Sequence, residues 1–283
     1  MQNVWITGAS SGIGEACAYE YAERGNRLIL TSSSRERLEP VAEACLAKGA
    51  SDVLVLPADF NDLEGIKLLA RTAWDAFGSV DVLFCNAGIS QRTNVEDTSM
   101  DMVRQIMEIN FFAPVALTKA VLPLMVTAGG GHIAVTTSIA GVFGFPLRCA
   151  YSSSKHALYG FFETLQAEYY ADNIRVTIVC PGRVRTNISV NALDKGGEKH
   201  GAMDPGQDKG LPANKAAKKI VKAIDKGKRE VLIGRGELVM VYIKRFFPSL
   251  CARLSRNIIP KIISFSGGRR VSYLLFSILF TSV

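Results

Sequence analysis

Seven short apolar runs, at residues 4–6, 27–31, 52–56, 80–84, 132–137, 176–180 and 230–234, recur along the chain with amphipathic segments between them. The runs are continuously apolar rather than alternating, which is the pattern of parallel strands covered on both faces. Right-handed crossovers through the intervening helices then give an α/β fold, a doubly wound parallel seven-stranded sheet with helices on both faces. The chain has 283 residues, 48% of them hydrophobic, enough for one large core. The pattern predicts a single domain over residues 1–235 and a C-terminal helical extension over 236–283. The segment 191–212, rich in Gly, Lys and Asp, follows the sixth strand. Ligands of open α/β sheets bind outside the carboxyl ends of the strands, so a lid over about 183–212 is expected to cover a site.

Charge and cysteine usage narrow the class. The net charge of +7 suggests a nucleic-acid partner until its distribution is read. Residues 1–234 are balanced, and the excess lies in 235–283, where eight basic side chains face Glu237 alone. No nucleic-acid partner is expected. Cys17, Cys45, Cys85, Cys149, Cys180 and Cys251 lie in apolar segments without a C-x-x-C pair, which predicts free thiols in a reducing compartment and no metal site. The three histidines lack metal-ligand spacing. With the first strand so close to Met1, no leader or N-terminal anchor is expected, and the protein is expected to be cytoplasmic.

The stretch TGASSGIG directly follows the first run. Gly8, Gly12 and Gly14 there permit a sharp turn, a close backbone approach to a pyrophosphate and packing of the next helix on the sheet, with Ser10, Ser11 and Ile13 completing the loop. The free N–H groups and dipole of that helix then face the phosphates. A plain turn with Ser10 or Ser11 capping the helix is the competing reading. After the second strand, where an acid would accept from ribose hydroxyls, the chain reads Ser33-Ser34-Arg35. These residues suit a 2′-phosphate, favouring NADP(H) over NAD(H); alternatively Arg35 only opens a solvated helix. Asp59 and Asn86-Ala87-Gly88 fall at strand ends facing the adenosine half, or form ordinary turns.

Tyr151 and Lys155 are four residues apart on a predicted helix and share a face. Bringing a phenol from ~10 to about 7 needs roughly 4 kcal/mol, and an ammonium at ~4 Å in an effective dielectric of ~20 supplies about that. Lys155 is thus expected to make Tyr151 a usable proton donor and acceptor. Ser138, ending the fifth run, could bond the same substrate oxygen or cap a helix. Asn110, polar in apolar helical company, demands a partner.

Together, TGASSGIG, Asn86-Ala87-Gly88, Asn110, Ser138, the YSSSK of Tyr151 to Lys155, and Pro181-Gly182 with Thr186 resemble the short-chain dehydrogenase/reductase family in its single-domain branch. AYSSSKHALYGFF further resembles the hydroxysteroid-dehydrogenase-like and retinol-dehydrogenase-like microsomal reductases. The resemblance implies a Rossmann fold and an oxidoreductase interconverting carbonyl and hydroxyl. Tyr151 would be the general acid/base, Lys155 would lower its pKa and bind the nicotinamide ribose, Ser138 would orient the carbonyl and Asn110 would hold a relay water. Pro181, Gly182 and Thr186 would meet the nicotinamide carboxamide. It also implies homo-oligomers formed through the long helices. Residues 237–283 interleave apolar and basic side chains, which suits a peripheral contact with an anionic membrane; packing on the protein's own domain or a sister subunit competes. An apolar cover suits small lipophilic carbonyl substrates. A dinucleotide-sensing scaffold is the rival function, although a pure binder needs no proton relay. A sugar-nucleotide epimerase, sharing Y-x-x-x-K, fits the glycine spacing less well.

Overall fold

A computed structural model describes residues 1–256 and Ile258. The chain begins β1 (Asn3–Thr7), α1 (Gly12–Ala22), β2 (Arg27–Thr31), α2 (Arg35–Ala47), β3 (Asp52–Val55), α3 (Ile66–Phe77) and β4 (Val82–Cys85). It continues through α4 (Met100–Met107), α5 (Ala113–Thr127), β5 (Gly131–Thr136), α6 (Cys149–Glu168), β6 (Ile174–Pro181) and β7 (Val184–Arg185). The remaining elements are α7 (Pro205–Asp208), β8 (Leu211–Pro212), α8 (Ala213–Asp225), β9 (Glu230–Ile233), α9 (Val239–Phe246) and α10 (Pro248–Ser255).

All seven expected strands form one sheet of order β3-β2-β1-β4-β5-β6-β9, and every pairing in it is parallel. Strand side chains alternate between two cores, as period-two geometry requires. Val4, Ile6, Leu28, Leu30 and Phe84 meet Cys17 and Tyr21 of α1, Leu38 of α2 and Ile220 of α8. Trp5, Ile29, Leu83 and Ile133 meet Leu69 of α3, Leu117 and Val121 of α5, and Phe162 of α6 on the opposite face. Each fully buried Leu or Phe contributes roughly 1.5–3 kcal/mol, and two covered faces explain why the runs show no polar alternation. Strand order reverses between β1 and β4, opening the crevice where ligands of this architecture bind.

The helix expected around Asn110 is not regular. Glu108–Phe112 forms a π turn between α4 and α5, with the Ala113 amide bonding the Glu108 carbonyl. Pro114 accounts for it. Lacking an N–H, it cannot donate to the Asn110 carbonyl four residues back, and its ring crowds that carbonyl. Among the described residues, Met100–Thr127 has the length and apolarity of a membrane span, but Leu117, Val121 and Met125 are buried in the core.

The segment expected to be a loop is pinned down. Leu193 bridges Gln91, and β8 pairs with β7. In the extension, Met240 and Cys251 pack with Ile139, Phe143 and Cys180, against the protein's own domain. Tyr242, Phe246 and Phe247 remain exposed. Residue 257 and residues 259–283, including the rest of the proposed membrane-contacting run, lie outside the described residues. All six cysteines are free, five of them buried and Cys149 partly so.

Candidate active site

The glycine turn is built for close approach. Gly8 and Gly12 adopt φ values of +66° and +63°, in the left-handed region that disfavours other residues. A Cβ on Gly14 would stand 2.3 Å from the Gly8 carbonyl oxygen, and one on Gly12 would stand 3.0 Å from Thr186 Cγ2. Ser11 occupies the N-cap of α1 in extended conformation, yet its side chain makes no capping hydrogen bond. The first-turn amides are therefore left for another acceptor, against the plain capping alternative. Gly8, Ser10, Ser11, Gly12 and Ile13 line a cleft of about 450 Å³ that extends to Tyr151, Lys155 and Thr186. Gly14 lies behind the turn, where its missing side chain admits Gly8 and Asn86. Thr7 Oγ1 accepts from the Asn86 and Ala87 amides at 3.0 and 3.1 Å, which fixes the β4 turn beside β1. Asn86, Ala87, Gly88 and Asp59 all line the cleft.

Beyond β2 the expectation needs correction. Ser33 lines the cleft, but the cation there is Arg37, joined by Ser32. Ser34 is spent as the N-cap of α2, its hydroxyl accepting from the Arg37 amide at 3.3 Å. Arg35, the first residue of that helix, is exposed and pairs with Glu39 at 3.8 Å. The helix begins at Arg35, so the cleft is reached two residues later, from Arg37.

On the substrate side, Tyr151 and Lys155 both project from the buried face of α6. Lys155 Nζ donates to the Thr136 carbonyl at 2.8 Å and lies 5.9 Å from the Tyr151 ring centroid. Burial lowers the Lys155 pKa to about 8. Burial likewise holds the Tyr151 phenol above its ordinary value, while Arg148, a hydrogen bond with Ser138, and Arg92 pull it back. Lys155 is not among the groups that lower it. The ammonium is held by a strand carbonyl, and the guanidinium of Arg148 sits 5.8 Å over the same ring. Ser138 does cap, accepting from the Ala140 amide at 3.1 Å, while its hydroxyl also contacts the Pro181 carbonyl at 3.4 Å.

Asn110 is 1% exposed and fully engaged. Its Oδ1 accepts from the Ile89 amide at 2.8 Å, and its Nδ2 donates to the Ile89 carbonyl and to Ser154 Oγ at 2.9 and 3.0 Å. The side chain thus ties the loop after β4 to α6.

Ser138 and Gly182 border a second cavity of about 300 Å³, with Ile139, Phe145, Arg148, Arg183 and Asp204 among its walls. Pro181, the last residue of β6, directly precedes Gly182. Asp204 receives both Arg92 and Arg148, the latter at 3.2 Å. Gln91, fully buried, accepts the Tyr151 amide on Oε1 at 3.0 Å.

The short chain dehydrogenase family matches residues 2–196. Dehydrogenase/reductase SDR family member 7B of Mus musculus is 40% identical over 255 residues, covering 89% of this chain and 79% of that protein. The chain belongs to the short-chain dehydrogenase/reductase family. The alcohol dehydrogenase of Thermococcus sibiricus, solved with 5-hydroxy-NADP, aligns with a TM-score of 0.71 at 29% identity, over 83% of this chain and 97% of its own. A family member from Burkholderia phymatum, solved with NAD, shares the fold with a TM-score of 0.78 at 24% identity, over 94% and 98% of the two chains. Like its family, the chain is an NAD(P)-dependent oxidoreductase acting on alcohol and carbonyl groups.

In this dehydrogenase/reductase, four polar residues escaped the sequence reading: Gln91, Arg92, Arg148 and Asp204. Arg148 stands three positions before Tyr151, which was a signal of sorts, but its acid is 56 residues away. Arg92 is 112 residues from Asp204, and no local pattern links them.

Proposed function

We propose that the chain is an NADP(H)-dependent carbonyl reductase acting on small lipophilic substrates, with Tyr151 as general acid/base. The observation that carries this reading is the convergence of Tyr151, Lys155 and the glycine turn on one cleft. The nicotinamide supplies or accepts hydride when bound. Gly8, Gly12 and the amides opening α1 would hold its pyrophosphate, Asp59 and Asn86 its adenosine half, and Pro181, Gly182 and Thr186 its carboxamide. The uncapped α1 amides and the space that a Cβ on Gly12 would fill support that fit.

Ser138 orients the substrate oxygen while Tyr151 delivers the proton. A phenol held high by burial stays protonated at neutral pH, so the protein rests as a proton donor, the state that reduction requires. Lys155, positive below about pH 8, would hold the ribose hydroxyls and favour return of the proton. All of the Asn110 side-chain hydrogen bonds are structural, so a relay water would sit on its backbone carbonyl, to which Pro114 cannot donate.

Preference for NADP(H) rests on Arg37 and Ser33 in the cleft, with no acid at the end of β2; the Thermococcus sibiricus relative was solved with an NADP derivative. The test is oxidation of NADPH and NADH with a panel of ketones and aldehydes, for wild type, Tyr151→Phe and Arg37→Asp. Turnover should fall about 10²–10⁴-fold in Tyr151→Phe, and Arg37→Asp should shift preference toward NADH. Equal turnover in Tyr151→Phe would refute the acid/base role. Exposed Phe246 and Phe247 beside Lys244 and Arg245 support peripheral contact with anionic membrane. Flotation with anionic liposomes should be lost on truncation after Gly236. Assembly into homo-oligomers, which the family likeness suggests, is read by light scattering.

A further inference from the structure

The cavity beside Ser138 has two unlike walls. Ile139, Ala140, Phe145 and Pro146 make one of them apolar; Arg148 and Arg183 make the other cationic. The acid lining it, Asp204, is already shared between Arg92 and Arg148. One carboxylate between two guanidiniums leaves a unit of positive charge, and Arg183 adds another. Among the described residues Arg183 has no ion-pair partner. The nearby Glu237 carboxylate is turned to backbone, accepting the Arg183 and Arg235 amides at 2.7 and 3.2 Å.

Arg183 is exposed to solvent but lies against the chain on one side. A Cβ on Gly206 would lie 2.9 Å from its Cζ, 3.0 Å from Nε and 3.2 Å from Nη1, so the guanidinium rests against a backbone that only glycine leaves bare. The positive potential registers on Arg148, whose pKa is lowered to about 10 by burial first, then by Arg92, with Arg183 adding to it. A neutral ketone gains nothing from the unmatched positive charge on this wall. A planar or tetrahedral oxyanion does, because guanidinium forks bind it in paired, charge-assisted hydrogen bonds.

We propose that Arg148 and Arg183 form a subsite for an anionic group, a carboxylate or a phosphate monoester, carried by the carbonyl substrate, with the Phe145–Pro146 wall taking its hydrocarbon part. The substrate is then an amphiphile. Arg148 lies 5.8 Å over the Tyr151 ring, so only a few bonds separate the anion from the reacting carbonyl. The assignment rests on the carbonyl-reducing reading of the same site.

The test uses the full chain with NADPH and matched probes: keto acids of increasing spacing against their methyl esters, and keto phosphates against the corresponding keto alcohols. Each pair is run on wild type, Arg183→Gln and Arg183→Lys. Wild type should favour the charged member by roughly 10- to 100-fold in kcat/KM. Arg183→Gln should lose that preference through KM with kcat retained, and Arg183→Lys should keep part of it. The larger of the two preferences identifies carboxylate or phosphate. Equal use of charged and neutral members by wild type, or a preference that survives in Arg183→Gln, overturns the subsite while leaving carbonyl reduction intact. Should no probe turn over, calorimetric titration of cofactor-loaded protein with a saturated fatty carboxylate separates the two ideas. Binding lost in Arg183→Gln upholds the anion subsite and counts against the reductase reading, whereas identical or absent binding in both proteins overturns the subsite.

Discussion

Replacing Asp204 with Asn keeps the shape of the lid and removes the charge that two arginines share. The Arg92 side chain is 1% exposed, Asp204 12% and Arg148 18%, so solvent screens the group poorly. The Asp204 oxygens take Arg92 through Nε at 3.3 Å and through Nη2, and Arg148 Nη2 at 3.2 Å. Without the acid, Arg92 retains the Gln91 carbonyl at 2.7 Å, and Arg148 retains Ser90 Oγ at 3.3 Å. Two poorly solvated cations then face each other with one neutral acceptor apiece and the single amide oxygen of the new Asn between them. Breaking a buried pair by removing one partner costs about 3–5 kcal/mol, and a large domain loses about 2 °C of Tm per kcal/mol, so Asp204→Asn should melt about 6–10 °C lower. The same change frees positive charge beside Tyr151, whose phenol Arg148 and Arg92 already pull downward, so the pH dependence of reduction should move to lower pH. Calorimetry and urea denaturation read the first effect, and a pH–rate profile the second. Adding Arg92→Leu should return part of the stability, since it removes one of the stranded charges. A loss under about 1 kcal/mol, the range of exposed pairs, would show that the acid is solvated and that the lid is held by β7–β8 pairing instead.

Three further outcomes follow from the packing and charge described above. Lys155 has a folded pKa of about 8 against an ordinary 10.5; below pH 8 both states keep the proton and the burial cost is full, whereas from 8 to 10.5 only the unfolded chain keeps it, so stability gains about 3 kcal/mol with rising pH. Lys155→Met lacks that gain, and its urea-measured advantage over wild type should shrink by this amount across the window; parallel profiles would mean an unperturbed lysine. Gly14→Ala should weaken dinucleotide binding at least tenfold, read by fluorescence titration, because the new Cβ stands 2.3 Å from the Gly8 carbonyl oxygen and displaces the turn; unchanged affinity would mean the turn gives way freely. Met240→Ala should cost about 2–3 kcal/mol in denaturant melts if α9 is truly part of the domain, and a neutral result would detach the extension from the fold.

The sheet was legible because a strand covered on both faces has only one way to read, as an unbroken apolar run, and all seven runs proved to be strands of one sheet. The glycine turn was legible for a related reason, since positive φ at Gly8 and Gly12 leaves a mark on composition. Electrostatics left no such mark. From Tyr151 and Lys155 at four-residue spacing, the lysine was expected to set the acidity of the phenol, yet a shared helix face fixes direction only roughly, and the ammonium is drawn to the Thr136 carbonyl. The charge that acts on Tyr151 most strongly comes from Arg148, kept buried by an acid on the lid. Likewise a helix start decides whether Arg35 or Arg37 reaches the cleft, and a shift of two residues exchanges an exposed ion pair for a place in the cleft wall.

Asn110 shows the converse, a residue whose type was noticed but whose conformation carried the content. Its amide closes a three-bond link among Ile89 and Ser154, and that alone would explain a buried Asn. The π turn adds something the side chain does not. Because Pro114 offers no N–H, the Asn110 carbonyl cannot take the ordinary four-residue helical bond, at a turn whose side chain braces the loop after β4 and the Tyr151 helix. A proline four residues downstream of a buried Asn is therefore the readable sign of the π turn, and under the proposed function the backbone carbonyl, rather than the amide, is what a relay water would meet. Pro114→Ala should restore the regular helical bond, leave the Ile89 and Ser154 contacts in place, and slow proton delivery. A solvent isotope effect on kcat larger than that of wild type, with cofactor affinity unchanged, is the expected signature, and an unaltered effect would assign the π turn to packing alone.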